Sequence, residues 1–377
     1  MAAIRKALII GGGIGGLSSA IALARAGIDT EVAEIERDWQ VYQIGIVVQA
    51  NFIRAMAALG IADQAIAAGF PYDGLIFQDL HGKVVQTLRG ARLAGPRYPS
   101  HLGMTRPALH QVLFEAATAA GARLRLGLTF RDLRPIGERV EVEFSDASSA
   151  AYDLVVGADG IHSQVRAHLF GTMHQPRFTG QGTWRCNVDR PPEVNYSFLC
   201  MGKELPFGKC GFIPLNSKTG YVWLVQSEPG NPRHRPDRLA EIFRERLKAC
   251  TGIMGRMREQ IRDAAQVVYR PLETLLLPQP WYRGRIVLIG DAAHATTPHL
   301  GQGSAQAVED AVVLGELLRR DAPVEQLLNE FMQRRFERCR FIVESSLQLG
   351  EWEQHPVADA DPVGLTARML ETVAAPI

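Results

Sequence analysis

Leu8-Ile9-Ile10-Gly11-Gly12-Gly13-Ile14-Gly15-Gly16 is an apolar run that breaks into glycine. The stretch from Ala7 to Ile10 carries no polar side chain, which predicts a strand buried on both faces. Leu17, Ile21 and Leu23 then recur at helical spacing, and Gly27 stands where that helix ends. Thr30 to Ala33 predicts a second short strand, with Glu34 at its end. Strand, Gly-rich turn, helix and strand make a β-α-β unit. Gly11 permits the tight turn, Gly13 lets backbone N–H groups approach a pyrophosphate, and Gly16 lets the helix pack close to the strand. The helix N-terminus adds free donors and partial positive charge. Glu34 follows Gly16 by 18 residues, near the place where an acid binds a ribose 2′-hydroxyl. An acid there repels the extra phosphate of NADP. The spacing suits NAD and FAD equally.

The chain has 377 residues, enough for two or three structural units at about 150 residues each. Hydrophobic residues are 46% and charged residues 21%, which gives a large core and excludes disorder as the main state. Lys plus Arg is 41 against 40 for Asp plus Glu, so bulk charge gives no sign of a nucleic-acid partner. Arg5 and Lys6 before an apolar stretch imitate a secretory signal, but the glycines from Gly11 to Gly16 interrupt the helix that a signal needs. Beyond that stretch, no run of 18 apolar residues predicts a membrane span. Cys186, Cys200, Cys210, Cys250 and Cys339 show no C-x-x-C spacing. The expectation is a reduced, cytoplasmic protein, with a pairing among Cys186, Cys200 and Cys210 as the alternative.

Phe52 to Leu59 and Pro107 to Ala120 read as helices; Leu124 to Leu126, Val140 to Phe144 and Leu154 to Val156 read as strands. A second group of strands is expected at Arg177 to Val188, Asn195 to Cys200, Gly208 to Leu215 and Tyr221 to Gln226. Pro236 to Gln260 reads as mostly helical, Ile286 to Ile289 as a strand, and Ser304 to Arg319 and Val324 to Glu353 as long helices. The tail after Pro356 is weakly patterned. The fold class is α/β: a Rossmann-like dinucleotide domain, an inserted antiparallel β-sheet domain and C-terminal long helices. The expected boundaries are 1–175 for the first domain, with part of the insertion at about 70–105. The β-rich domain covers 176–270, and 271–377 returns to the first domain.

Two further segments repeat the logic of a buried strand ending in a polar turn. Asp153-Leu154-Val155-Val156-Gly157-Ala158-Asp159-Gly160 leads to Ser163 and Arg166. Arg285-Ile286-Val287-Leu288-Ile289-Gly290-Asp291 leads to His294. Asp159 and Asp291 stand at strand carboxyl ends, where ligands bind in open sheets. Read singly, either acid is also a helix cap.

Taken together, the three segments resemble the class A flavoprotein monooxygenases, the para-hydroxybenzoate hydroxylase-like aromatic hydroxylases. Thr105-Arg106-Pro107 matches a fourth feature, an arginine that opens a helix. Thr297-Pro298-His299-Leu300-Gly301-Gln302-Gly303-Ser304 is similar to the branch of urate, quinolone and salicylate hydroxylases. Trp184-Arg185 and Leu349-Gly350-Glu351-Trp352-Glu353 resemble the quinolone enzymes. Two positions depart from the pattern: Ala50-Asn51 replaces Pro-Asn, and Lys209 stands about where urate hydroxylases carry an arginine. The resemblance implies FAD, NADH or NADPH as a transient co-substrate, and O2. It implies flavin contacts at Gly11, Gly13, Gly15, Gly16, Glu34, Ile35, Arg106, Asp159, Gly160, Asp291, Pro298, Gly301, Gln302 and Gly303. It also implies hydroxylation of a small activated aromatic or N-heteroaromatic compound through a flavin C4a-hydroperoxide, with loss of a ring substituent as a variant. Epoxidation and Baeyer–Villiger-like oxygenation are the alternatives on the same scaffold.

The candidate catalytic residues are Arg185, Lys209, Tyr221, Pro298 and His299. Tyr196, Phe212 and Trp223 are further pocket candidates. Strand alternation puts Lys209 and Gly211 on one face, Cys210 and Phe212 on the other. His294 reads as a structural hydrogen-bonder. The basic stretch Arg334, Arg335, Arg338 and Arg340 reads as a solvated face with Glu partners. The long C-terminal helix packs on the first domain by default, with a homodimer seam as the alternative. No metal-ligand pattern is present in the sequence.

Overall fold

The computed structural model describes residues 4–39, 43–202, 205 and 208–377. Lys6–Ile10 lies inside a six-stranded sheet, between Leu154–Gly157 on one side and Asp29–Glu34 on the other. Ile286–Leu288 follows Leu154–Gly157, Tyr282–Arg283 forms that edge, and Arg123–Leu126 forms the opposite edge. All neighbours are parallel except the Tyr282–Arg283 pair. Ala7, Leu8 and Ile9 are fully buried, as an all-apolar strand between helices requires. Helices Ile14–Arg25, Ala50–Ala58, Arg106–Ala119 and Gly303–Leu318 share this core. The register pairs Ile10 with both Gly157 and Ala33, and Gly157 with Leu288. Gly11, Glu34, Asp159 and Asp291 therefore emerge along one rim of strand carboxyl ends.

The second sheet has seven strands: Val267–Thr274, Arg177–Asp189, Thr219–Ser227, Gly208–Pro214, Ser197–Cys200, Leu75–Gln78 and Val84–Leu88. It is antiparallel except where Ser197–Cys200 runs parallel to Leu75–Gln78. The exception has a simple cause: Leu75–Gln78 arrives from far earlier in the chain, so no hairpin turn joins it to Ser197–Cys200. One face buries Trp184, Cys186, Phe198, Cys210, Phe212 and Leu224 against helices Leu239–Arg246 and Gly252–Arg258. The other face carries Gln181, Arg185, Tyr221, Trp223 and Lys209.

The stretch 236–260 is mostly helical, as a 3-10 turn, Pro236–Arg238, and two short helices, Leu239–Arg246 and Gly252–Arg258. The two helices part where the Thr251 N–H donates to the Leu80 carbonyl at 2.9 Å. Three expectations need correction. The strand expected from Asn195 begins only at Ser197. The tail forms a helix, Pro362–Ala374, in which Asp361 accepts from the Gly364 N–H at 2.7 Å. Leu365, Met369 and Val373, four apart, bury against Ile342 and Leu349. The basic stretch is only half solvated. Arg334 and Arg340 meet Glu316, Glu337 and Glu344 at the surface. Arg335 is fully buried between Glu309 (2.8 Å) and Asp310 (2.7 Å), and Arg338 lies against Glu309 at 2.8 Å.

All five cysteines are free and buried. Among the described residues, no helix is long and apolar enough to cross a membrane.

Candidate active site

At the Gly-rich turn, a Cβ on Gly16 would overlap the Gly11 carbonyl oxygen, so the helix runs onto the turn at the closest possible approach. A Cβ on Gly13 would meet nothing within 4 Å. Gly13 caps the helix Ile14–Arg25 without any side-chain hydrogen bond, which leaves first-turn N–H groups for an anion. Gly15 lies in that turn. Glu34 accepts from the Gly12 N–H at 2.6 Å and from the Glu36 N–H at 2.9 Å, while Ile35 beside it is 65% exposed. Trp39 lies over Gly12, with its ring 4.3 Å from that of His110.

Asp159 has both oxygens engaged: it accepts from Ser163 Oγ at 2.5 Å and from the Gln164 and Val165 N–H groups at 2.7 and 3.0 Å. Its work is to cap the helix Gln164–Phe170 and hold the Gly160 turn, beside which space is open. Arg166 ties this segment to the next, donating to the carbonyls of Ile161 (2.7 Å) and Ala292 (3.0 Å).

Asp291 is exposed to solvent, yet protein surrounds it, as on the floor of a cleft. That burial pushes its carboxyl above the usual range, while His294 and Arg106 pull it down. Below the floor, His294 Nε2 and the Gly290 N–H share one Asp310 oxygen, at 2.7 and 2.9 Å. Burial opposes a charge on His294, but Cys339 and Asp310 outweigh it and hold its pKa well above the ordinary value. His294, Asp310 and Cys339 form the described cluster of potential metal ligands. Arg335 already occupies the other Asp310 oxygen, so a cation is in place there.

The turn Pro298–Leu300 leads to Gly301, whose φ of +64° and contact with Gln49 leave no room for a side chain. Gln302 turns its amide inward, to Asn51 at 2.9 and 3.1 Å. Asn51 also donates to Glu309 at 2.9 Å. The Gln302 side chain therefore locks the loop from behind, and only its backbone is available at the front. Gly303 opens the helix Gly303–Leu318, whose Ncap also makes no side-chain hydrogen bond.

On the second sheet, Arg185 pairs with Trp223 across strands, and Tyr221 lies two residues from Trp223. Burial lowers the Arg185 pKa to about 10, and the like charge of Arg106 lowers it too. Among the described residues, neither guanidinium has a carboxylate partner. Burial raises the Tyr221 hydroxyl, against the pull of Arg185 and Arg106. The Trp223 indole N–H is buried without a hydrogen-bond partner. Lys209 stands on the same face but its ammonium is taken by Glu353. His299, with its side chain fully buried, contacts the same carboxylate at 3.2 Å. A cleft of about 260 Å³, bordered by Gln181, Thr297, His299 and Gly350, opens beside them.

Two pocket candidates fall elsewhere. Phe212 is fully buried on the helix-covered face, as strand alternation from Lys209 demands, and Tyr196 packs at the margin of that same core. Glu353, Gln49 and Trp39 were not read from sequence as site residues. Glu353 lay in the segment Leu349 to Glu353, whose only signal was resemblance.

A dinucleotide rim with uncapped helix ends, beside a sheet that carries arginine and aromatic groups, fits an oxidoreductase that holds a dinucleotide cofactor. The chain belongs to the family described as FAD binding domain, whose model matches residues 5–346. It is 32% identical over 355 residues to an aurachin C monooxygenase/isomerase of Stigmatella aurantiaca, covering 92% of this chain and 90% of that protein. It is also 32% identical to a 2-heptyl-3-hydroxy-4(1H)-quinolone synthase of Pseudomonas aeruginosa, covering 92% and 90%. The structure of Klebsiella pneumoniae HpxO complexed with FAD and uric acid superposes with a TM-score of 0.86, at 25% identity and 99% and 97% coverage. The protein is an FAD-dependent monooxygenase of the aromatic-hydroxylase class. The residues fit FAD: open space lies beside Gly13 and Gly160, two helix ends keep their donors, and Asp291 offers a free carboxylate.

Proposed function

We propose that the protein hydroxylates a small activated aromatic or N-heteroaromatic compound, using NADH or NADPH and O2. The balance is substrate–H + O2 + NAD(P)H + H⁺ → substrate–OH + NAD(P)⁺ + H2O. Bound FAD supplies hydride acceptance and oxygen activation, which no side chain provides. One observation carries the reading. Arg106 donates its backbone N–H to the Ile44 carbonyl at 2.8 Å, and the next residue, Gly45, packs on the Tyr221 ring of the sheet face. The Arg106 charge is felt by Tyr221 and Arg185 on that face and by Asp291 on the cofactor rim. Floor and sheet face thus border one chamber.

The residues divide the work. Gly11, Gly13, Gly15, Gly16 and Glu34 hold the adenosine half, with Ile35 at its edge. Asp159 and Gly160 shape the turn beside it, and Asp291 and Arg106 take the middle of the cofactor. The Gly301 to Gly303 backbone and the helix behind it meet the flavin edge, where their dipole favours the reduced, anionic ring. Pro298 presents no N–H to that space. Arg185 and the Trp223 N–H offer donors to an oxygen on the substrate ring, and Tyr221 covers it. The likeness to the 2-heptyl-3-hydroxy-4(1H)-quinolone synthase supports a ring of the quinolone kind.

The test is NADH and NADPH oxidation by FAD-loaded protein with phenols, hydroxypyridines, quinolones, salicylates and urate. Strong stimulation by one class, with one atom of ¹⁸O from ¹⁸O2 in the product, is expected. Product mass reads whether a substituent is lost. A yellow, folded protein that no aromatic compound stimulates would overturn the proposal.

A further inference from the structure

The sheet face that carries Arg185 and Trp223 continues along its strands to Lys209 and Thr183, which flank Val225. Lys209 is 9% exposed, and its ammonium sits on one oxygen of Glu353. Glu353 comes from the last turn of the helix Val324–Gln354, 144 positions later in the chain. Its other oxygen accepts from Gln181 Nε2 at 3.1 Å and from His299 Nε2 at 3.2 Å. With Nε2 donating, neutral His299 takes the Thr297 hydroxyl at Nδ1, 2.8 Å away.

Gly350 brings the helix end this close. A Cβ there would stand 2.8 Å from Gln181 Oε1 and 3.0 Å from the His299 ring. Burial pushes Glu353 up, but Lys209 and His299 together bring it down to about 2. Against the pull of Glu353, burial and Lys209 lower His299 in turn, and this favours its neutral ring. The cluster holds one cation and one anion, and its net charge is zero. It stands two residues from Gly301, on the face assigned to the substrate.

We propose that Glu353 sets the charge preference of the substrate site by cancelling the Lys209 ammonium that the sheet would otherwise present there. This rests on reading that face as the substrate face. An unpaired ammonium in a poorly hydrated pocket attracts an anionic ring substituent and leaves a neutral one nearly unaffected. Removing Lys209 instead leaves an unpaired carboxylate, which repels the same anion. A purely structural role would move neutral and anionic ligands together.

The experiment uses FAD-loaded wild type, Glu353→Gln, Lys209→Met and the double variant. Salicylamide and salicylate, a neutral and an anionic ligand of one shape, are titrated by their perturbation of the flavin spectrum. The preference for salicylate over salicylamide should rise about tenfold in Glu353→Gln and fall about tenfold in Lys209→Met. It should return near the wild-type value in the double variant. An unchanged preference in Glu353→Gln, or shifts of the same sign in both single variants, would overturn the proposal. So would a flavin that neither ligand perturbs in any variant. If Glu353→Gln does not fold, the fall in Lys209→Met and its reversal in the double variant carry the measurement. NAD(P)H oxidation in the same samples separates the two readings. The predicted shifts without turnover sink the hydroxylase reading alone, and turnover without the shifts sinks the charge assignment alone.

Discussion

Gly16 and Arg185 represent two kinds of residue, one fixed by contact and one left without a partner. Adding a methyl group at Gly16 drives it into the Gly11 carbonyl, and the helix cannot retreat without widening the turn. Gly16→Ala should cost about 1–3 kcal/mol of stability and strip most of the FAD, measured by thermal melting and by flavin content after gel filtration. Arg185 is half-buried beside Arg106, and among the described residues no acid receives it. Arg185→Met should relieve that repulsion and leave the melting temperature equal or higher. It should cut kcat/KM by about 10–100-fold, the worth of one hydrogen bond from a charged donor. Steady-state kinetics beside a melting curve distinguishes this from a folding defect. At this scale the Gly-rich turn was legible because its chemistry is local: strand, glycines, helix and Glu34 lie within one β-α-β unit. Glu353 was not, because its partners Lys209 and His299 lie 144 and 54 positions away. Asp159 shows a middle case, since one pattern fits a ligand contact and a helix cap, and the side chain proves to cap.

Among the elements, the C-terminal helix does more than its sequence suggested. Arg54 donates to the Val373, Ala374 and Ala375 carbonyls at 2.9–3.0 Å, and Arg338 donates to Val373 at 3.1 Å. These guanidiniums complement the negative end of the helix Pro362–Ala374. Arg338 also holds Glu309, which Asn51 joins to the Gln302 loop. Ending the chain at Ala360 should therefore lower the melting temperature by several degrees and weaken FAD binding, although the removed helix lies outside the cofactor rim. Thermal melting and a flavin titration check both. The tail was illegible because exposed apolar residues, Val363 and Leu370, blur the buried stripe of Leu365, Met369 and Val373, and because its carbonyl partners sit on distant helices. Arg335 and Arg338 were misread for a related reason. Helical spacing shows which charges share a face, but not that acids on another helix draw that face inward.

His294 adds a pH dependence that belongs to the junction between helices. Its pKa is raised in the folded protein, so its pairing with Asp310 stabilises the fold fully below the unfolded value of about 6.5. That contribution fades as pH rises through the folded value. His294→Asn should be most destabilising in mildly acidic buffer, and the gap from wild type should narrow at alkaline pH. Melting curves across the pH range decide it, and a gap that widens with pH would contradict the assignment.

For the whole molecule, the two large sheets are each completed by distant parts of the chain. Ile10 pairs with residues on both sides, and Gly157 must then wait for Leu288. In the second sheet, Leu75–Gln78 lies beside Ser197–Cys200, more than a hundred residues later. The β-α-β beginning and the β-rich middle could be read from period and turn chemistry. The parallel pairing that joins residues 75–78 to 197–200 could not, because no local signal names a partner. The late completion of the first sheet has a consequence during synthesis. As the chain leaves the ribosome, the first strands emerge with their sheet neighbours still unmade, and the apolar edge of Lys6–Ile10 stays open until the strand Leu154–Gly157 appears. The strand Ile286–Leu288 comes later still. Closing such long loops carries an entropic cost before any contact rewards it. The nascent chain therefore carries an unpaired apolar strand edge through most of its translation, and added chaperone or slower elongation is expected to raise the yield of soluble protein, read from the soluble fraction.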